Sequence, residues 1–204
     1  MPSGGGQPVQ LRIDREQSIN RLWGIPMFGL LARWGLLIPH FFILWILGIA
    51  VGVSVLVSWI PILLFGRLPD VLVDLYILTY RWTARVTAYA VLMAEPYPPF
   101  SMAAPYPVDL IVVSGTSINR LWGIPILGFW VRSILIIPHA IVLMILSIGI
   151  GFAMLVTWIP VLINGRFPQL GYDLFGGYLR LSSRVALWEI FVATPYPPIS
   201  PSDE

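Results

Sequence analysis

GLLIPHFFILWILGIAVGVSVLVSWIPILLF, residues Gly35–Phe65, carries no charged side chain. About 20 apolar residues in a helix cross a hydrocarbon core roughly 30 Å thick, so this run is long enough to span a bilayer, with tilt or an interfacial end absorbing the excess. A second run of the same character, ILIIPHAIVLMILSIGIGFAMLVTWIPVLI, occupies Ile134–Ile163. Outward from these two runs, the whole chain is a tandem duplication. A shift of 99 residues aligns Pro8–Phe100 with Pro107–Ile199 without a gap, and 42 of the 93 aligned pairs are identical. SINRLWGIP stands at Ser18–Pro26 and Ser117–Pro125, IPH at Ile38–His40 and Ile137–His139, and WIP at Trp59–Pro61 and Trp158–Pro160. GRxP follows at Gly66–Pro69 and Gly165–Pro168, and PYPP at Pro96–Pro99 and Pro195–Pro198. A period this long means two domain-sized units, 8–100 and 107–199, rather than a solenoid.

Composition agrees with the long runs. The chain is 57% hydrophobic and 11% charged, where ordinary soluble domains carry about 25% charged residues. A net charge of +2 is too small to argue for a nucleic-acid partner. The absence of cysteine removes disulfides, thiol nucleophiles and Cys-bound metal centres together. The start, MPSGGGQPVQLRIDREQ, lacks the basic and short apolar regions of a cleavable signal, so the apolar runs themselves are expected to direct insertion.

Each unit reads in the same order. Val9, Leu11 and Ile13, like Val108, Leu110 and Val112, alternate with other residues and predict a short strand outside the membrane. RLWGIPMFGLLARW predicts a short interfacial helix, because Trp and Arg favour that depth and Pro26 interrupts it. The long run is the first spanning helix; a re-entrant hairpin at Gly48 and Gly52 is the less favoured alternative, since lipid-exposed backbone turns are costly. A second spanning helix is expected over about Val71–Met93, ended by PYPP, and Glu95–Pro107 is a stiff proline-rich connector. The expectation is therefore an all-α integral membrane protein of two tandem repeats, each with two spanning helices, an interfacial helix and a short strand. Arg12, Arg15, Arg21, Arg33, Arg120 and Arg132 would share one face, against Arg67 and Arg166 on the other. The positive-inside rule then places both termini in the cytoplasm, with the repeats parallel about an axis along the membrane normal.

The second helix of each unit holds the candidate site. Asp74, Arg81 and Arg85 fall on one narrow stripe, and Asp173, Arg180 and Arg184 repeat it. An arginine in mid-membrane faces protein, water or a partner charge. The favoured reading is an ion-pair seam between the units; the alternative is a pathway or site for an anion or a lipid phosphate. Arg67 and Arg166 are read as headgroup-level residues that position the turns. His40 and His139, the two histidines, are read as helix-start residues hydrogen-bonded at the interface, although facing each other across a twofold axis they would suit a haem or pigment. No Ser–His–Asp set, zinc-like cluster or phosphate loop is legible, so no metal and no cofactor is expected.

The set Gly66-Arg67-Leu68-Pro69, Asp74, Arg81-Trp82, Arg85-Val86, Tyr89 and Tyr97-Pro98-Pro99-Phe100, with Ile38-Pro39-His40 upstream, resembles a bacterial membrane family catalogued as domain of unknown function 4389. The second unit keeps Gly165-Arg166, Pro168, Asp173, Arg180, Arg184-Val185 and Tyr196-Pro197-Pro198, and departs at Leu181, Trp188 and Ile199. The resemblance implies a multi-pass bacterial membrane protein and supplies no reaction. The expected function is non-enzymatic: a structural or assembly subunit of the bacterial cytoplasmic membrane, with membrane lipids as partners and within a homo-oligomer or larger complex. An anion or lipid channel or carrier using the arginine stripes, and a haem- or pigment-bearing subunit, are the alternatives.

Overall fold

The computed structural model describes residues 7–15, 18–114, 117–124 and 127–202. The Gly-rich start and Pro125, the second copy of the helix-interrupting proline, lie outside them. The first unit comprises β1 (Val9–Ile13), a 3-10 turn at Arg21–Gly24, α1 (Phe28–Leu36), α2 (Ile38–Val57), α3 (Trp59–Phe65) and α4 (Asp70–Ala90). The second repeats it as β2 (Val108–Val112), a 3-10 turn at Arg120–Gly123, α5 (Leu127–Leu135), α6 (Ile137–Met154), α7 (Trp158–Asn164) and α8 (Gln169–Glu189).

Local chemistry sets these boundaries. The Asn20 and Asn119 side chains accept hydrogen bonds from the Leu22 and Leu121 N–H groups and open the two 3-10 turns. Pro39 and Pro138 sit in the first turns of α2 and α6, where no intrahelical N–H bond is lost. Gly66 and Gly165 end α3 and α7 at φ 67° and 65°, a conformation open to glycine at little cost. The long apolar run is thus one chain of three helices with breaks at Leu37 and Ser58. Gly48 and Gly52 lie inside α2, so the re-entrant alternative is wrong.

Four spanning helices were expected; among the described residues, two are long and apolar enough to cross a membrane, α2 and α6. The outer faces of both are exposed. α4 and α8 are core helices instead. Their charged positions interrupt the apolar pattern, and most of their length is covered by the strands, by α2 and α6, and by each other.

The strand expectation holds, and the strands decide the topology. β1 and β2 form an antiparallel ribbon in which Leu11 pairs with Leu110, its own equivalent 99 residues on. A pseudo-twofold axis therefore passes between these two residues, perpendicular to the ribbon. The main packing contacts of the strands and of the 3-10 turns with α3, α4, α7 and α8 are exchanged between units. β2 packs on α4 and β1 on α8; the first 3-10 turn packs on α7 and the second on α3. Ile118 N–H donates to Gly66 O at 2.7 Å, and Ile19 N–H to Gly165 O at 2.8 Å. A Cβ on Gly24 would lie 2.4 Å from Leu162 N, and one on Gly123 2.4 Å from Leu63 N. The main core accordingly runs through both units, with Val9, Leu11 and Ile62 of one beside Val108, Leu110 and Val161 of the other.

This exchange overturns the expected sidedness of the arginines. The Arg67 turn sits against Ile118 and Arg120, and the Arg166 turn against Ile19 and Arg21. Arg21 and Arg120, counted on the opposite face, are thus neighbours of these turns, and the charge count that put both termini in the cytoplasm loses its separation of sides.

Candidate inter-unit arginine seam

Arg81, Arg85 and Arg184 reach from their helices to backbone or side chains of other segments. Arg81 Nε donates to Leu110 O at 3.0 Å and lies 3.5 Å from the Asp109 carboxylate. Arg85 donates to the same carboxylate at 2.9 Å, and to Ala104 O at 3.1 Å and Met102 O at 3.4 Å in the connector. α4 thereby grips the strand of the other unit and the chain leading to it. In the second unit Arg184 donates to Val9 O at 3.2 Å and to Ser200 O and Ser202 O near the C-terminus. Arg180 lies beside Gly176, where Ile13 of β1 packs. The seam is therefore present, but its carboxylate is Asp109 and not the stripe's own Asp74. Asp74 is exposed, and Asp173 pairs at the surface with Arg15 at 2.7 Å. Spacing placed the aspartates on the arginine line, but about two turns of helix carry them past the ribbon to its edge.

The histidines are buried separately. His40 is stacked on Phe100 at 4.3 Å, with Tyr97 beside it, and its Nδ1 accepts a hydrogen bond from Trp82 Nε1 at 2.9 Å. His139 Nε2 is 2.9 Å from Pro197 O, and Tyr196 lies edge-on to the ring. Each ring is thus enclosed by the PYPP segment of its own unit, not turned towards the other. The PYPP tyrosines also brace the start of the long helix: Tyr97 and Tyr196 donate to Leu36 O at 2.9 Å and Leu135 O at 2.7 Å. Arg67 and Arg166 are exposed, as their reading as turn-level residues requires.

Two further buried arginines were read from sequence only as interface residues. Arg33 is 0% exposed, and donates to Tyr89 O at 2.8 Å, Ala94 O at 2.7 Å and the Glu95 carboxylate at 3.0 Å. Its guanidinium lies over Trp23 and Tyr89. Arg132 donates to Trp188 O and is packed among Trp122, Trp188 and Phe191. Both cations sit at the C-terminal ends of α4 and α8, where the carbonyls and the helix dipole favour positive charge. Leu92 and Phe191 stand there at φ 69° and 68°, a left-handed turn that costs about 1–2 kcal/mol outside glycine. Desolvation lowers the Arg33 pKa, opposed by Tyr89 and Glu95, and lowers that of Arg132 to about 10, opposed by Glu189. The signal in the sequence was that both units keep this arginine while its neighbours change from LLARWG to FWVRSI.

A polar hollow of about 460 Å³ opens between the ribbon and the connector, lined by Arg12, Asp14, Arg85, Tyr106 and Asp109. Its two arginines face two aspartates, so it offers an anion no excess charge. Among the described residues no group of three or more His, Asp or Glu is placed to hold a metal.

A duplicated helical fold with exchanged strands and buried arginines bound to backbone carbonyls defines the class of protein. The chain belongs to the family described as Domain of unknown function (DUF4389), whose model matches residues 29–102 and 127–200, one copy per unit. No curated protein and no solved structure is detectably similar to it.

Proposed function

We propose that the protein is a non-enzymatic structural or assembly subunit of the bacterial cytoplasmic membrane, working within an oligomer or larger complex. The observation that carries this is the contrast between its interior and its surface. Inside, Arg81, Arg85 and Arg184 reach across to the other unit, while Arg33, Arg132 and the histidines tie together segments of their own unit. Outside, α1–α3 and α5–α7 display large side chains such as Phe42, Trp45, Leu56, Trp130, Ile145 and Phe152. Contiguous apolar surface on this scale marks a membrane or protein interface. The engaged stripes favour the seam over an anion or lipid pathway, and the aromatic packing around each histidine gives a haem or pigment no evident opening.

The test is fractionation followed by gentle solubilisation. The protein should stay with membranes through an alkaline carbonate wash and leave mild detergent as a species larger than one chain. Recovery in the soluble fraction overturns the membrane reading. A monodisperse monomer without companions overturns the assembly reading, and visible absorption by the pure protein would revive the cofactor alternative.

A further inference from the structure

We infer that α2 and α6 lie flat within one leaflet, neither crossing the bilayer, with the β-ribbon turned to water. This rests on the membrane reading above and specifies its geometry. On α4, Arg81 and Arg85 face the ribbon, whereas Trp82 and Tyr76 meet His40 and Ser54 of α2. At 100° per residue these two sets centre about 140° apart, so α2 and the ribbon cover nearly opposite sides of α4. The pseudo-twofold places α6 likewise against α8. The molecule is therefore layered along its axis: ribbon, then α4 and α8, then α2 and α6.

The two ends of α2 lie at one level along that axis. Its start packs on Trp82 and Tyr97, near the Arg33 end of the first unit. Its far end, with Val55 and Trp59, shares a hollow with Trp122 and Phe191, at the Arg132 end of the second unit. These two ends are twofold equivalents. A helix joining equivalent heights runs perpendicular to the axis. If α2 stood upright in a bilayer, the axis would lie in the membrane plane and the ribbon would sit beside the hydrocarbon centre. Arg12 and Gln10 are exposed there, and exposed charge and strand edges at that depth are prohibitively costly. With the axis along the membrane normal, the ribbon is in water and the exposed faces of α2 and α6 are in lipid.

Charge placement agrees. Within 28–65 and 127–164 the charged residues are Arg33 and Arg132, both buried. Exposed arginines instead cluster by the two left-handed glycines: Arg21 lies against Gly165, next in sequence to Arg166, and Arg120 against Gly66, next to Arg67. A rim of four guanidiniums around an apolar face fits a leaflet containing anionic phospholipid.

The chain has no native cysteine, so single cysteines can carry nitroxide probes in the full-length protein in vesicles. Phe42, Ile49 and Leu56 are exposed along one face of α2. A flat helix gives all three the same immersion depth; an upright one separates 42 and 56 by about 21 Å. Cysteines replacing Gln10, Asp70 and Gln169 should all react with an impermeant maleimide from one side. A depth gradient, or labelling from opposite sides, overturns the flat orientation while leaving membrane residence intact. Three probes all exposed to water overturn membrane residence itself. On phosphatidylcholine vesicles with and without phosphatidylglycerol, replacing the four rim arginines by Gln should cut the preference for the anionic vesicles by about fivefold per residue. An unchanged preference removes the rim from the proposal.

Discussion

The two units share a frame and differ in the chemistry that tightens it. In the first, Asp109 of β2 ties Arg81 and Arg85; its counterpart in β1 is Gln10, and Arg184 turns to backbone carbonyls near the C-terminus instead. Arg15 pairs with Asp173, whereas the residue equivalent to Arg15 in the second unit is Ser114, which cannot form that ion pair with Asp74. Tyr76 bonds Ser54 across α2 and α4, where the second unit has Phe175 and Ala153. What stays identical is the frame: the close-packed Gly24 and Gly123 and the left-handed Gly66 and Gly165 at the exchanged contacts, and the buried Arg33 and Arg132 within each unit. Polar partners can drift after duplication, because another carbonyl can satisfy a guanidinium. A glycine against a backbone has no such substitute.

The comparison can be broken most sharply at the shared arginines. Arg33→Ala should destabilise by about 3–5 kcal/mol, since it strands two buried carbonyls and the Glu95 carboxylate, and Arg132→Ala by about 1–3 kcal/mol, since it leaves the buried Trp188 carbonyl without its donor. Thermal unfolding in mild detergent, followed by tryptophan fluorescence, reads this loss; a large loss for one and none for the other would show that the frame is held by one end only. Next come Gly24→Ala and Gly123→Ala, expected to cost about 1–3 kcal/mol each and by similar amounts, because both meet backbone. Unequal losses by the same assay would mean that one exchanged contact has slackened.

The differences give smaller effects. Asp109→Asn should cost about 1 kcal/mol, discounted because the carboxylate is partly exposed. Gln10→Asp should return up to about the same amount by giving the second unit its missing carboxylate. Chemical unfolding of the singles and the double mutant tests whether the two sites act independently. Alkaline pH tests a further difference between the units. Burial raises the Tyr172 pKa to about 12, so the folded state holds a proton that the unfolded chain releases near pH 10. Stability from this residue is complete below pH 10 and declines as pH rises towards 12. Tyr172→Phe should flatten that part of the pH profile, and the first unit, with Val73 at the equivalent place, should lack it.

Much of the site was legible and wrongly connected. Arg81 and Arg85 on one face of α4 followed from helical spacing, and their burial followed from the cost of a lone charge in apolar surroundings. Asp109 was not a candidate, because it sits on a strand in the other unit and no local spacing links it to α4. Arg33 looked like any interfacial arginine, since sequence does not say that Trp23 and the end of α4 close over it.

By itself the sequence determined the duplication, the alternating strands, the uncharged runs, and the prolines and glycines that divide them. Those are local properties, decided by backbone sterics and by periodic burial. The tertiary structure alone decided which copy covers which. A strand's pattern says that Leu11 must be buried, but α4 and α8 offer nearly equivalent surfaces to bury it. Packing within a unit and packing across units hide the same residues. Pairing Leu11 with Leu110 selects the exchanged arrangement, and with it the layering that separates a polar ribbon from two uncharged helices.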